Sequence, residues 1–297
     1  MNGFKKIQFY AEYAGVQLFR GVLRLLPPRA AEAFGALLGW KAYRIFRVRR
    51  DVAIDNIRRA LPDVPDDRHA DRIACLSYQN LGRTAVEIAS FDRYDDARIR
   101  EMVEVDTLEH FDQVMEAGRG GIVLTGHIGN WELLSAIAAY GYPLRSLVGR
   151  QSNPLVDKLV NDLRKRRVLD IIPRETGLKL AFRTLANNQF VVMAGDQDAR
   201  GNGVFVEFLG RPASAAKGPA LFAIRRNAAI IPCFMHRVGP GKHFLETNPP
   251  MWPDRSLDED ASVFDLTQRY MHALADAVRR HPTEYLWGHR RWKHTQA

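Results

Sequence analysis

Cysteine and long apolar runs are both scarce in this sequence. Its two cysteines among 297 residues, Cys75 and Cys233, are far apart and lack metal-ligand spacing. A disulfide framework and a cysteine-based metal site are therefore excluded, and two buried free thiols in a reducing compartment are predicted. The sequence also has no uncharged run of about 20 apolar residues, which a membrane-spanning helix requires. It shows no signal-peptide cleavage pattern either.

Linkers, repeats and low-complexity tracts are also missing. No stretch rich in proline, glycine and serine divides the chain, and 46% of its residues are hydrophobic, as in a globular protein. We therefore expect one continuous catalytic domain over residues 101–297, preceded by a helical, membrane-associating region over residues 1–100.

Acidic residues are fewer than basic ones, at 34 against 43, and the resulting net charge of +9 implies an anionic partner. Nucleic acid, an anionic membrane and a phosphorylated substrate all fit. Residues 7–26 form an apolar, aromatic-rich helical pattern with basic flanks, and residues 40–50 mix aromatic with basic side chains. Both patterns favour a helix lying in an anionic membrane interface. The alternative is an amphipathic helix packed on the protein's own core.

From about residue 100, apolar strands alternate with helical patterns. Strands are predicted over residues 102–105, 122–124, 144–148, 171–172, 190–194 and 229–236, with helices between them. This alternation predicts an α/β fold with a largely parallel sheet flanked by helices. The carboxyl ends of parallel strands share one sheet edge, where functional groups collect.

The most informative segment runs from Gly121 to Leu134. An apolar strand ends at a glycine-flanked His127, and Glu132 follows in the first turn of a predicted helix. A carboxylate beside an imidazole stabilises the imidazolium, and a helix N-terminus adds amide donors, so the pair predicts a general base. The alternative is a glutamate that only complements the helix dipole and a histidine that only ends a strand.

Three further polar groups follow predicted strands: Arg150, Asp196 and Asp198. Two carboxylates on a turn are also possible magnesium ligands. The basic, aromatic segment from Trp287 to Lys293 fits nucleic acid in isolation, but no nucleic-acid-binding pattern surrounds it. We therefore expect a chain end packed on the core and no nucleic-acid partner. His236 and His243 are expected to be structural.

Five motifs in a fixed order resemble those of the late acyltransferases of lipid A biosynthesis, of the lauroyl- and myristoyl-transferase type. This family is related to glycerol-phosphate and lysophospholipid acyltransferases. The motifs are Gly126–Glu132, Val148–Arg150 with Asn153-Pro154, Asp196–Asp198, Val206–Ala213 and Trp287–Lys293. The resemblance covers nearly the whole chain.

The resemblance implies transfer of a fatty acyl chain from acyl-carrier protein or acyl-coenzyme A to a hydroxyl of a membrane glycolipid, of the lipid A precursor type. It implies the cytoplasmic face of the inner membrane and no cofactor. His127 would remove the hydroxyl proton, Glu132 would orient and charge the ring, and direct attack would occur in a ternary complex. A related transferase with another lipid acceptor, and a non-catalytic peripheral lipid-binding protein, are the alternatives.

The same resemblance assigns supporting roles. Arg150 and backbone amides near Gly129 and Asn130 are expected to stabilise the oxyanion. Asp196 and Asp198 are expected to support the active site by holding Arg150 or other cations, with no metal. The basic run over residues 164–167 is either a docking face for the acidic carrier protein or a solvated helix face.

Overall fold

The computed structural model describes residues 3–166 and 170–294, and the chain is largely helical from residue 3 to about residue 102. Aspartates begin two of these helices, because their side chains accept backbone N–H groups: Asp66 from His69 and Asp95 from Arg98. Pro28 opens another, where a missing N–H costs nothing. The helices are α1 (Gly3–Leu25), α2 (Pro28–Arg44), α3 (Arg50–Ala60), α4 (Asp67–Ala89) and α5 (Asp96–Met102).

Helices α2 and α4 cross at very short range, and glycine permits it. A Cβ on Gly39 would lie 1.9 Å from the carbonyl oxygen of Tyr78, and one on Gly82 would lie 2.0 Å from that of Gly35. Any side chain at these points would force the helices apart. The close crossing gives the helical region a tightly packed centre.

The strands that follow the helical region form a seven-stranded sheet and a separate two-stranded hairpin. The sheet strands are β1 (Val103–Val105), β2 (Gly121–Thr125), β3 (Leu144–Val148), β4 (Asp170–Pro173), β5 (Phe190–Ala194), β8 (Ala229–Gly239) and β9 (Lys242–Thr247), and the hairpin is β6 (Val204–Phe208) with β7 (Arg211–Ala215). The sheet order is β1-β9-β8-β2-β5-β3-β4. All neighbours are parallel except β8 and β9. The prediction of a largely parallel sheet is confirmed.

Helices cover both faces of the sheet. They are α6 (Glu109–Glu116), α7 (Ala136–Ala139), α8 (Pro154–Arg164), α9 (Leu178–Ala186), α10 (Gly218–Arg226) and α11 (Glu259–Arg280). Alternate residues of a strand point to opposite faces. Accordingly, Ile122 and Leu124 join the core that includes α3, α4 and α11, whereas Val123 joins a second core with α5 and α6.

Several local expectations differ from the structure. The hairpin, β9 and α11 were not predicted. The sequence pattern over residues 215–227 predicts one helix, but α10 begins at Gly218 and Ala215 belongs to β7. The pattern over residues 155–167 predicts the helix that corresponds to α8, and its predicted end lies outside the described residues. Both cysteines are buried free thiols, as predicted. Among the helices described, none is both long and apolar enough to cross a membrane.

Candidate active site

His127 lies on a tight turn directly after β2, in the middle of the sheet. Gly129 makes the turn possible: its φ is +56°, and a Cβ there would lie 1.8 Å from the carbonyl oxygen of Met235. The segment after α11 fixes the turn from behind. The Gly129 N–H donates to the carbonyl of Glu284 at 2.9 Å, and the Leu286 N–H donates to the carbonyl of His127 at 3.0 Å.

The hydrogen-bond partner of the His127 ring is Asp196. This carboxylate follows β5, the strand beside β2, and it lies 2.8 Å from His127 Nδ1 while accepting the His127 backbone N–H at 2.8 Å. Burial works against the charge of Asp196, but the imidazole beside it outweighs burial and lowers its pKa to about 2. Burial likewise opposes protonation of His127, and Asp196 raises the pKa of the ring above 6.5 nonetheless.

This geometry fixes the roles of the two ring nitrogens. With Nδ1 donating to an ionised Asp196, Nε2 is the basic nitrogen, and the side-chain amide nitrogen of Gln197 lies 3.4 Å from it. The Trp131 ring packs against the imidazole with 4.8 Å between centroids. The His127 side chain keeps 18% of its surface exposed, so the ring is held in place but reachable.

Glu132 occupies a different position from the one predicted. Its carboxylate pairs with Arg164 at the end of α8, with Arg164 Nε 2.8 Å from Oε2 and Arg164 Nη2 on Oε1. Burial opposes the charge of Arg164, yet the Glu132 bonds raise its pKa. Glu132 acts on His127 only at longer range, as the weakest influence that raises the pKa of the ring. The expected hydrogen-bonded His127–Glu132 pair is therefore corrected to His127–Asp196.

The cause lies in the chain after the turn. Residues Trp131–Ser135 form a 3₁₀ helix, followed by the four-residue α7 rather than by a long α-helix. Such a short helix provides little dipole at its N-terminus, so the charge on His127 is stabilised by Asp196 and not by a macrodipole.

One of the expected oxyanion donors, the Gly129 amide, is already engaged. The Gly129 N–H bonds Glu284, and the side-chain amide of the fully buried Asn130 donates to Glu87 at 2.7 Å. Glu87 in turn binds Arg237 and His243. The prediction for Gly129 is thus wrong, and the role of Asn130's side chain is to fix the turn. Arg150 is exposed at the end of β3, on the wall of the same cavity as His127.

Asp198 does not hold Arg150 either. Its carboxylate accepts from the Arg200 backbone and pairs with the His294 ring, and its own N–H donates to His289 Nε2 at 3.2 Å. Asp196 is likewise engaged by His127 rather than by Arg150. The two aspartates instead contact His127 and the C-terminal segment.

The C-terminal aromatic and basic segment packs on the core. Trp287 and Arg291 are fully buried, and Arg291 donates to the carbonyl of Ser214 at 2.7 Å with its guanidinium over the Phe208 ring. Burial lowers the pKa of Arg291. Because Arg291 is buried in the core, its guanidinium is not available to contact nucleic acid. The sequence motif predicted a chain end packed on the core, but the burial of Arg291 within it was not predicted.

A cavity of about 610 Å³ lies in front of His127, beyond the carboxyl ends of β2, β3 and β5. Its apolar wall includes Leu147, Val192, Met193, Leu178 and Phe222, and its polar wall includes Glu132, Arg150, Arg164 and Arg174. A chamber of this size and mixed lining accommodates an apolar chain with an anionic or polar head.

The basic run over residues 164–167 is not a uniform docking face. Arg164 is largely buried in its ion pair with Glu132, while Lys165 is about half exposed and lies 3.8 Å from Asp170. Arg167 lies outside the described residues. Arg164 therefore belongs to the active site, which the sequence did not reveal.

Comparison with known proteins places the chain in a family. The model of the bacterial lipid A biosynthesis acyltransferase family matches residues 2–294. Relatives include a phosphatidylinositol mannoside acyltransferase of Mycobacterium tuberculosis, 25% identical over 239 residues that cover 77% of this chain and 73% of the relative. A lipid A biosynthesis acyltransferase of Haemophilus influenzae is 22% identical over 290 residues, covering 96% and 88%.

A lipid A biosynthesis palmitoleoyltransferase of Escherichia coli is 22% identical over 262 residues, which cover 87% of this chain and 83% of that one. Among solved structures, a 1-acyl-sn-glycerophosphate acyltransferase from Thermotoga maritima aligns with a TM-score of 0.42 and 14% identity, covering 88% of this chain and all of the other. Since the family model spans nearly the whole sequence, the chain belongs to the bacterial lipid A biosynthesis acyltransferase family and is an acyltransferase.

Proposed function

We propose that this enzyme transfers a fatty acyl group from a thioester donor to a hydroxyl of a membrane glycolipid, with His127 as general base and Asp196 as its partner. The observation that carries the proposal is the Asp196–His127 hydrogen bond on Nδ1, at a histidine that lines the cavity. A base of this kind contributes about 10²–10⁴-fold to the rate.

The reaction balances without a further reactant. His127 Nε2 takes the proton of the acceptor hydroxyl as its oxygen attacks the thioester carbonyl, and Asp196 stabilises the imidazolium. The tetrahedral oxyanion then collapses, the carbon–sulfur bond breaks, and the imidazolium returns the proton to the thiolate. The products are an ester and a free thiol. Arg150 and the backbone N–H of Asn130 are the proposed oxyanion donors.

Glu132 and Arg164 have a supporting role in this proposal. Their ion pair joins the turn after His127 to the end of α8 and forms part of the cavity wall. With its charge balanced by Arg164, Glu132 shapes the wall without repelling an anionic donor. Arg150 and Arg174 on the same wall suit the phosphates of acyl-carrier protein or acyl-coenzyme A.

The acceptor is proposed to be a glycolipid of the lipid A precursor type. Relatives named for lipid A and for phosphatidylinositol mannoside support a sugar-bearing lipid in general. A mannosylated phosphoinositide is therefore the second candidate acceptor. The alternatives are distinguished by acceptor competition, since the preferred acceptor has the higher kcat/KM.

Membrane attachment is proposed to occur through α1 and the end of α2. Phe4, Ile7, Leu18 and Leu25 are exposed at helical spacing along one face of α1, and Ile45 and Phe46 are exposed after α2. Together with Lys5 and Lys6, such a face suits the headgroup layer of an anionic leaflet. We propose the cytoplasmic face of the inner membrane as its location.

The activity is tested with purified protein, a labelled acyl thioester and candidate lipid acceptors, measuring free thiol and acylated lipid together. Thiol release that requires acceptor, with equal amounts of acylated lipid, is expected. Thiol release without acceptor would indicate a thioesterase. No turnover with any acceptor, despite lipid binding, would indicate a non-catalytic lipid-binding protein.

Membrane attachment is tested by flotation with vesicles containing anionic phospholipid. The Ile7→Glu/Leu18→Glu variant should remain in the soluble fraction, because two charges interrupt the apolar face. Phe264→Glu, which changes a comparably exposed side chain on α11, is the matched control and should still float. Equal flotation of both variants would exclude α1 as the membrane contact.

A further inference from the structure

A second cluster of potential ligands lies behind the active site, away from the cavity. His236 on β8 and Glu246 on β9 project from the same face, because the register pairs Phe234 with Glu246 and His236 with Phe244. His281, the residue directly after α11, is the third member of the cluster. One ligand atom from each of His236, Glu246 and His281 lies within 4.8 Å of the other two.

The imidazole rings of His236 and His281 are in close contact, and a bound ligand would let them separate. Their rings stack with 3.8 Å between centroids and 16° between planes. The Nδ1 atom of His236 is buried and has no hydrogen-bond partner within the described structure. A buried polar atom without a partner destabilises the folded state, so its persistence calls for an explanation.

The carboxylate of the cluster has one oxygen available to a cation. The hydrogen bonds described for Glu246, from Arg280 and Asn248, both go to Oε1. Oε2 therefore remains for a metal.

We propose that His236, Glu246 and His281 form a binding site for a divalent transition metal of the zinc type. Two imidazoles and one carboxylate are a recognised zinc ligand set, completed by water in a tetrahedron. Zinc–nitrogen bonds of about 2.0–2.1 Å place tetrahedral ligand atoms roughly 3.3 Å apart. The stacked rings thus rotate slightly apart when the ion binds. Arg280 on Oε1 weakens the site, because its positive charge repels the ion.

The position of the cluster gives the metal a structural role. His281 lies three residues before Glu284, whose carbonyl accepts the Gly129 N–H, and five before Leu286, whose N–H donates to His127. His236 directly follows Met235, whose carbonyl faces Gly129. An ion bound by β8, β9 and the end of α11 therefore braces the segment that holds the catalytic turn, without touching the reacting groups. This role would be independent of the proposed acceptor and donor.

The test uses the full chain, dialysed against a chelator and titrated with Zn²⁺ by calorimetry and thermal unfolding. We expect one tight site per chain and a Tm that rises with free Zn²⁺, because a ligand that binds only the folded state stabilises it. His236→Ala/His281→Ala should lose this Tm rise. His69→Ala/His272→Ala, which removes two exposed histidines, is the matched control and should keep it.

Two more variants keep the proposal testable if the double variant folds poorly. Glu246→Gln preserves shape and should bind Zn²⁺ at least tenfold more weakly, whereas Arg280→Ala should bind it more tightly. His127→Ala should retain the full Tm rise, because the active site is a separate place. A Tm rise that survives Glu246→Gln unchanged, or that disappears in His127→Ala, would overturn the proposal. So would the absence of any Tm rise in the wild-type chain.

Discussion

Two histidine–carboxylate pairs lie on either side of the catalytic turn, and they differ in their access to the cavity. His127 bonds Asp196 and keeps 18% of its side chain exposed, whereas His243 bonds Glu87 at 3.1 Å and has no exposed side-chain surface. Both carboxylates have pKa values lowered to about 2 despite their burial. The same chemical pair is therefore the proposed base where it reaches the cavity, and part of the core where it does not.

The buried His243–Glu87 pair supports the His127–Asp196 pair. Glu87 also binds Arg237 and the side-chain amide of Asn130, which lies in the catalytic turn. Removing one member of such a network leaves the others charged, buried and unpaired, which is costly. Stability and the proposed catalysis are therefore assigned to different pairs, which contact the turn at Asn130 and at His127.

The largest expected effect comes from replacing His127 or His243 with alanine in two separate variants. His127→Ala should lower kcat by about 10²–10⁴-fold because the base is lost, with Tm nearly unchanged. His243→Ala should lower stability by about 1–3 kcal/mol because buried partners lose a hydrogen bond, while kcat stays close to wild type. Steady-state kinetics and thermal unfolding measure both. Equal loss of kcat in both variants would erase the distinction.

The next prediction compares the contributions of the Asp196 and Glu132 carboxylates to kcat. Asp196→Asn should lower kcat by about 10²–10⁴-fold, since the ring loses its partner and its preferred tautomer. Glu132→Gln should cost less, about tenfold, because this side chain serves Arg164. The order of kcat among the two variants is the measurement. If Glu132→Gln were the more damaging, Asp196 would not be the ring's partner in catalysis.

The next expected effect is a loss of stability when the His243–Glu87 pair is disrupted. Glu87→Gln should destabilise the fold by about 3–5 kcal/mol near pH 7, because Arg237 and Asn130 lose an ionised partner. The folded-state pKa of about 2 lies below the ordinary 4.5, so this stability exists above pH 4.5 and disappears as the pH falls towards 2. Urea unfolding of both proteins at several pH values tests this. Their difference should shrink in acid, and a constant difference would contradict it.

The smallest effect is a shift in the pH profile. His127 acts as a base only when neutral, so kcat/KM should rise with pH through a midpoint above 6.5. Asp196→Asn removes the strongest influence that raises this pKa, while burial, which lowers it, remains. The midpoint of the residual activity should therefore move to lower pH, with a smaller move for Glu132→Gln. A midpoint that did not move in Asp196→Asn would mean that the titrating group is not His127.

Several strands and the turn histidine were predictable because their signals are local. The apolar runs of β2, β3 and β5 are bounded by glycine, proline and polar residues, and His127 is flanked by two glycines. By contrast, β6, β7, β9 and α11 were not predicted. The domain boundary near residue 100 stays a prediction.

The partners of the site residues were not predictable in the same way. Glu132 and His127 are five residues apart, which made their pairing attractive, but a 3₁₀ helix directs Glu132 to Arg164. Asp196 follows His127 by 69 positions, and only the placement of β5 beside β2 brings them together. The same holds for Glu87, which reaches Asn130 from α4.

The sequence by itself indicated the family through its motifs and the parallel strands through short-range periodicity, and it singled out His127, which we propose as the base. The tertiary structure alone decided which carboxylate lies beside that histidine, which amides are already engaged, and which histidine is buried. Those outcomes depend on strand order and burial, since a hydrogen bond between residues far apart in the chain exists only once the sheet has brought their backbones together.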